Sequence, residues 1–294
     1  MELGIPIAAD KSVGPTTIMV FLGLELNTND MSVRIPLHKI DELATLIAHF
    51  LSREKVSLQK LQSLVGKLNF FGQAVRSSRA FLRRFYDAMT PLKKPHHVLR
   101  LSREMREDLC VWQEFLTNFN GVTYIPQALW FSSVDLRLFT DAATAVDSGA
   151  ACFLDGQWCL FLWPETWSGC PVMRDLTFLE MVPVLLAVFL WGVRLSNKKV
   201  SLYIDNEALV QVLNKQSARS KRLMRLVRPF VLLCMQKNII FKAVHIPSRH
   251  NVIADSISRQ QWDRFRQAAP DADLEALSAP TSFLLLISGL KLDD

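Results

Sequence analysis

The first half of the chain has the hydrophobic spacing of amphipathic helices. From Pro36 onward, apolar residues recur every third or fourth position, which places them on one helical face. Ser57 is a suitable N-cap, and Pro91 is expected to end a helix. The predicted helices cover about 40–50, 58–68, 78–89 and 103–118.

A short strand pair precedes these helices. The apolar run 20–26 leads into the polar turn 27–30 and then into 31–35, a pattern typical of a small β-hairpin.

The second half alternates between strands and helices. Three strands come first, and Asp155-Gly156 between the second and third is a strong signal for a tight hairpin. The predicted order is βββαβαβα, with strands at 134–140, 149–154, 158–163, 200–204 and 239–245, and helices at 178–193, 206–214, 220–236 and from 251 onward. This order predicts an α/β domain.

Length and composition are compatible with two folded domains. The chain has 294 residues, of which 50% are hydrophobic. The five cysteines form no CxxC pair, and no signal peptide precedes them, so we expect an intracellular protein of the cytoplasm, the nucleus or both. The apolar run 178–193 is too short to cross a bilayer, and no membrane partner is predicted.

The formal charge of +6 is concentrated in two stretches. No acidic residue lies between Ala208 and Ala254, whereas nine basic residues do, and Arg76 to Arg103 carries eight basic residues against one acid. Such stretches suit a phosphate backbone, although an ordinary solvated helix face explains each of them about as well.

Four acidic residues stand at the predicted ends of strands or near the starts of helices: Asp141, Glu180, Asp205 and Asp255. Carboxylates that converge on one sheet edge can hold two divalent cations about 4 Å apart. Each residue also has an ordinary explanation. Asp141 could begin a turn, Glu180 could complete a capping box with Thr177, Asp205 could cap the next helix, and Asp255 could lie on a solvated helix face.

The order of these acidic motifs resembles the ribonuclease H family. The matching segments are Thr140-Asp141, Leu179-Glu180, Tyr203-Ile204-Asp205-Asn206 and the ending His245-Ile246-Pro247-Ser248-Arg249-His250-Asn251-Val252-Ile253-Ala254-Asp255-Ser256-Ile257-Ser258-Arg259. The ending looks especially like that of retrotransposon RNase H domains.

The resemblance extends upstream. Phe21-Leu22-Gly23-Leu24-Glu25-Leu26 is similar to the end of a reverse transcriptase palm, and Leu61-Gln62-Ser63-Leu64-Val65-Gly66-Lys67 is similar to its thumb. The chain most resembles the polyprotein of DIRS-type, tyrosine-recombinase retrotransposons. The polymerase carboxylate motif of that family lies upstream of the Phe-Leu-Gly strand, so we expect no polymerase activity from this sequence.

The resemblance implies an RNase H-like fold, a five-stranded mixed sheet flanked by helices, preceded by a mainly helical thumb- or connection-like region with a short hairpin. The implied divisions are 1–35 (palm-like hairpin), 36–125 (helical region), 126–268 (RNase H-like domain) and 269–294 (an irregular tail).

The resemblance also implies the chemistry. Asp141, Glu180, Asp205 and Asp255 would bind two Mg²⁺ ions, with Mn²⁺ as a substitute, and would cut the RNA strand of an RNA/DNA hybrid. Asn206 and Glu207 would contact RNA 2′-hydroxyls, and His250 is the candidate for a loop histidine that assists product release. The DNA-strand phosphates are assigned to Lys215, Arg219, Lys221, Arg222 and Arg225.

Two hypotheses follow. The first is a hybrid-cutting endonuclease that works alongside other retrotransposon proteins. The alternative is a catalytically inactive nucleic-acid-binding remnant of such an element. A third possibility, a DNA nuclease or integrase of the same broad fold, agrees less well with the ending Ala254-Asp255-Ser256-Ile257-Ser258-Arg259.

Overall fold

The computed structural model describes residues 14–145 and 147–290 and shows a mixed α/β protein. Its strands are β1 (Ile18–Phe21), β2 (Leu24–Asn27), β3 (Ser32–Arg34), β4 (Lys55–Ser57), β5 (Val98–Arg100), β6 (Val122–Tyr124), β7 (Trp130–Ser132), β8 (Leu138–Ala142), β9 (Gly149–Leu154), β10 (Gln157–Leu162), β11 (Lys199–Ile204) and β12 (Ile240–His245). Its helices are α1 (Leu37–Leu51), α2 (Leu58–Ala74), α3 (Arg83–Met89), α4 (Arg103–Asn118), α5 (Ser133–Leu136), α6 (Leu176–Trp191), α7 (Glu207–Lys215), α8 (Lys221–Gln236), α9 (Val252–Ser258), α10 (Trp262–Ala268) and α11 (Thr281–Ser288).

The N-terminal strands form a four-stranded antiparallel sheet in the order β1-β2-β3-β6. The predicted strand 20–26 is interrupted, because Leu22 and Gly23 both adopt positive φ (50° and 80°) and turn the chain between β1 and β2. The part of the palm-like hairpin assigned to residues 1–13 lies outside the described residues.

The four predicted helices of the first half are confirmed as α1, α2, α3 and α4, although a 3₁₀ turn at Arg76–Phe81 precedes the shorter α3. Ser57 Oγ accepts a hydrogen bond from Lys60 N–H and caps α2, as its position predicts. The apolar stripes of α1, α2 and α4 face one another around the fully buried Trp112.

The second half contains two three-stranded sheets instead of the single five-stranded sheet that was predicted. β10, β9 and β8 are antiparallel, whereas β12, β11 and β7 are parallel. The predicted strand 134–140 is wrong over its first part, where α5 (Ser133–Leu136) lies, and only β8 (Leu138–Ala142) is a strand. The unpredicted β7 pairs instead with Lys199–Ser201 of β11. β8 lies beside β11, but no paired register joins them among the described residues.

α6 packs against β8 and β9 on one side and against α8 on the other. Eleven of its sixteen residues are buried and all eleven are apolar, so it forms the centre of the second half. Within residues 14–145 and 147–290, no helix has both the length and the apolar character needed to span a bilayer.

One hydrophobic core extends across residue 125, where a domain boundary was predicted. It contains Phe50 and Trp112 from the first half together with Leu185 and Phe230 from the second. Ser77 Oγ donates a buried hydrogen bond of 2.7 Å to the carbonyl of Ile239, which ties the two halves together directly.

The tail predicted to be irregular from residue 269 contains α11. Phe283 of this helix is fully buried, with its ring edge-on to Phe161 of β10 and near Phe189 of α6. Tertiary packing of a few apolar residues therefore orders a segment whose sequence lacks a sustained period.

Candidate metal centre

Three of the four acidic residues lie together. Asp141 lies within β8, opposite Ala151 of β9. Asp205 directly follows β11, and Glu180 lies in the second turn of α6. One carboxylate oxygen from each of the three residues lies within 4.8 Å of the other two.

The local geometry removes the ordinary explanations for these carboxylates. Asp175, and not Glu180, caps α6 by accepting a hydrogen bond from Phe178 N–H. Asn206, and not Asp205, caps α7 by accepting one from Leu209 N–H. Asp141 belongs to a paired strand instead of a turn. None of the three carboxylates therefore serves as the local cap or turn residue that the sequence allowed.

The site concentrates negative charge in the protein interior. Burial raises the pKa of Asp141 to about 7, and the charges of Asp205 and Asp255 act in the same direction. Burial, followed by the charges of Asp141 and Asp205, raises the pKa of Glu180 well above its usual value. Without a compensating cation, this cluster favours bound protons.

One face of α9 is hydrogen-bonded to this site. Asn251, Asp255 and Ser258 are spaced four and three residues apart, so all three lie on the same side of the helix. Ser258 Oγ donates a 2.6 Å hydrogen bond to Asp141 Oδ2. Asn251 Nδ2 donates to the carbonyl of Thr140 at 2.8 Å. Both contacts hold the helix against β8.

The structure does not place the Asp255 carboxylate within the group of three. Its Oδ1 accepts a hydrogen bond from Arg259 Nε at 2.6 Å, and its Oδ2 accepts one from Arg264 Nη1 at 2.5 Å. Burial acts to raise the pKa of Asp255, but these two arginines outweigh it and hold the pKa below its usual value. Asp255 is therefore not the solvated helix-face residue that the sequence also allowed.

The donor set suits a hard divalent cation. Asp141, Glu180 and Asp205 supply only carboxylate oxygens, which Mg²⁺ and Mn²⁺ prefer over the nitrogen and sulfur ligands of softer metals. A bound cation would also offset the charge that these residues bring into the interior. The three residues therefore fit the predicted metal, whereas Asp255 would have to leave its arginine partners to join them.

The basic residues predicted to contact phosphates begin in the last turn of α7 and continue into α8. Lys215, Arg219 and Lys221 are exposed, and Arg222 and Arg225 are half-buried. Arg219, Lys221 and Arg225 line an open groove of about 460 Å³ whose opposite wall is formed by α3 and α4.

Arg228, in the same basic stretch, has a different position. Its side chain is buried and forms ion pairs with Asp108 and Glu107 of α4. The stretch of basic residues thus contains exposed residues, the half-buried Arg222 and Arg225, and the buried Arg228, which joins α8 to α4.

Three further predicted substrate residues lie near the ends of the site strands. Asn206 uses its side-chain oxygen to cap α7, Glu207 is exposed in the first turn of that helix, and His250 is exposed in the 3₁₀ turn Ser248–His250. Their predicted contacts with RNA stay predictions.

Sequence reasoning missed Ser258, Arg259 and Arg264. The spacing of Asn251, Asp255 and Ser258 contained a signal for Ser258, because it places all three on one helical face. Arg264 carried no such signal, since it reaches Asp255 only after the chain turns from α9 into α10.

Among solved structures, the chain is similar to the protease-reverse transcriptase of a foamy virus in complex with an RNA/DNA hybrid. The TM-score is 0.26 and the sequence identity 12%, over 78% of this chain and 29% of that one. No protein-family model and no curated protein matches the chain. A likeness of this size does not define a common fold.

Proposed function

We propose that this protein is a metal-dependent endonuclease of the ribonuclease H type, which cuts the RNA strand of RNA/DNA hybrids. One observation carries the proposal: Asp141, Glu180 and Asp205 come from two strands and a helix far apart in sequence, yet their carboxylate oxygens lie within 4.8 Å of one another. Maintaining such a cluster in the interior is unfavourable without a cation, so a role in binding one is the simplest reason for it.

Different residues of the chain would bind the metal and orient its ligands. Asp141, Glu180 and Asp205 would hold the metal, and Ser258 would fix the orientation of Asp141 through its hydrogen bond. Two bound Mg²⁺ ions would supply an activated water and stabilise the leaving 3′ oxygen, giving 5′-phosphate and 3′-hydroxyl ends. Asp255 would contribute to the second ion.

The groove between α8 and the helices α3 and α4 supports a nucleic-acid substrate. The positively charged side chains of Lys221 and Arg219 are exposed in this groove and can bind phosphates. Such phosphate contacts account for most of the sequence-independent affinity of proteins for nucleic acids. The groove belongs to the same unit as the acidic cluster, because α8 packs directly on α6. We assign it to the DNA strand of the hybrid.

We further propose that the chain derives from the reverse transcriptase region of a DIRS-type retrotransposon. The support is the agreement between its acidic motifs and its ending Asn251-Val252-Ile253-Ala254-Asp255-Ser256-Ile257-Ser258-Arg259 and those of retrotransposon RNase H domains.

The test is cleavage of an end-labelled RNA/DNA hybrid in Mg²⁺ by the full chain and by Asp205→Asn, which keeps the side-chain shape but weakens metal binding. We expect RNA-strand cutting by the unchanged protein and a loss of roughly 10²- to 10³-fold in the variant, the effect of removing one preorganised charged group. Duplex DNA of the same sequence serves as the control substrate. Hybrid binding without cutting by either protein would support the inactive remnant instead.

A further inference from the structure

Both oxygens of the fourth carboxylate are occupied by arginines. Arg259, which follows α9, binds Asp255 Oδ1, and Arg264 in α10 binds Asp255 Oδ2. The Asp255 side chain is 18% exposed, whereas those of Arg259 and Arg264 are 47% and 44% exposed. We call Arg259 and Arg264 the arginine clamp.

The backbone of Asp255 cannot move far from the metal centre. Asn251 and Ser258, before and after it on the same face of α9, are both hydrogen-bonded to β8. A change of partner for Asp255 therefore requires rotation of its side chain and no movement of the helix. The Asp255 carboxylate thus lies between the clamp that it contacts and the nearby Asp141, whose charge interacts with it.

We propose that the arginine clamp competes with the second divalent cation for Asp255 and so makes the two-metal centre assemble in sequence. The inference rests on the proposed function and adds a regulatory step to it. The first cation binds Asp141, Glu180 and Asp205, which already lie together. The second cation binds only when Asp255 leaves Arg259 and Arg264.

The clamp has a physical reason in the charge of the site. The carboxylates of Asp141, Glu180, Asp205 and Asp255 repel one another when no metal is bound, and a guanidinium pair supplies fixed positive charge beside the fourth. Each arginine binds a carboxylate oxygen of Asp255 through a directional N–H donor, and together the two bonds hold this carboxylate outside the cluster, so they must break before it can turn toward a cation held there. The competition therefore reduces mainly the affinity of the second site, and the charge of Arg259 has a smaller, longer-range effect on Asp141 and Glu180 of the first site.

The test is a titration of the full chain with Mn²⁺, with free Mn²⁺ followed by its EPR signal and heats by calorimetry, in the absence of nucleic acid. The variant is Arg259→Gln/Arg264→Gln, and the single variant Arg264→Gln is measured in parallel. The matched control is Arg249→Gln, which removes one exposed positive charge just before α9 at a residue outside the clamp.

We expect the unchanged protein to bind one ion tightly and a second weakly. In the double variant the second affinity should rise roughly tenfold, because two part-exposed ion pairs no longer have to break, while the first changes less than about twofold. Retention of the first affinity shows that the variant is folded. Arg249→Gln should reproduce less than half of the gain on a logarithmic scale, and Asp255→Asn in the double variant should abolish the second ion.

Failure of the clamp and failure of the proposed function give different results. Equal second affinities in the unchanged protein and both clamp variants, with hybrid cleavage intact, would overturn the clamp alone. A gain in Arg249→Gln as large as in Arg264→Gln would also overturn it, since overall charge would then explain the effect. Absence of any specific Mn²⁺ binding by the unchanged protein would overturn both proposals.

Discussion

Arg228 Nε of α8 donates a hydrogen bond to Asp108 Oδ1 of α4 at 2.9 Å, in the interior between the two halves of the chain. Asp108 is fully buried, and its Oδ2 accepts a second hydrogen bond, from Arg84 at 2.7 Å. Arg228 also pairs with Glu107 at 2.6 Å. Burial acts to raise the pKa of Asp108, and the two arginines oppose that effect. This ion network fixes the position of α8, which forms one wall of the groove lined by Lys221 and Arg225.

Replacing Asp108 with alanine should reduce the free energy of unfolding by about 3–5 kcal/mol, because it leaves the buried Arg228 without its main partner. Urea unfolding followed by circular dichroism measures the change. The comparison variant is Asp87→Ala, which removes only the exposed pair with Arg83 and should change stability little. A loss in Asp108→Ala no larger than in Asp87→Ala would show that the network is not energetically important.

Ser258→Ala should reduce the affinity of the first metal site roughly 10- to 100-fold, since the Ser258 hydroxyl holds the Asp141 carboxylate in position. Ser256→Ala is a matched control, because that buried serine lies on the same helix but donates to the backbone carbonyl of Val252. Mn²⁺ binding by calorimetry compares the two. Similar losses in both variants would indicate a general disturbance of α9 instead of a role for the Ser258 hydroxyl.

Stability in a chelating buffer should fall as the pH rises from about 4 to 7. The pKa of Asp141 is about 7 in the folded protein against an unfolded value near 3.8, so in this window the folded state holds a proton that the unfolded state has lost. The favourable contribution is therefore fully present below the unfolded pKa and is lost as the pH approaches 7. The raised pKa of Glu180 acts in the same direction.

Urea unfolding at pH 5 and pH 8 with EDTA tests this linkage. Asp141→Asn should be less sensitive to the change in pH, whereas Asp263→Asn, an exposed carboxylate on α10, should behave like the unchanged protein. Mg²⁺ should stabilise the protein more at pH 8 than at pH 5, because protons and the cation compete for the same oxygens. An equal slope in Asp141→Asn and the unchanged protein would exclude Asp141 as the source.

Local patterns in the sequence predict the longer helices and the strands β9 to β12 because each of these elements carries its own signal. The 3.6-residue spacing of α1, the Asp155-Gly156 turn between β9 and β10, and the Ser57 cap all act within a few residues. β7 is different, since its three residues form a strand only through pairing with β11, almost seventy positions later. α11 likewise depends on the packing of Phe283 against Phe161.

In the candidate site, too, some features follow from local sequence and others depend on contacts between distant residues. The positions of Asp141, Glu180 and Asp205 at element ends predict their convergence, and they do converge. Of the two partners of Asp255, Arg259 has the i,i+4 spacing of a helical ion pair, whereas Arg264 was not predictable, because only the turn between α9 and α10 brings it near. The burial of Arg228 could not be predicted from the sequence either, since its partner Asp108 lies 120 residues away in the chain.

The hydrophobic core that continues across residue 125 has a consequence for the chain's use as a building block. If the second half were produced by itself, the face of α8 that packs on α4 would be exposed to solvent. The backbone around Ile239 would also lose its hydrogen bond from Ser77. The half that carries the acidic cluster is therefore not expected to fold as an independent unit. A shortened chain that keeps the acidic cluster would therefore also need the helices α1 to α4 that precede it.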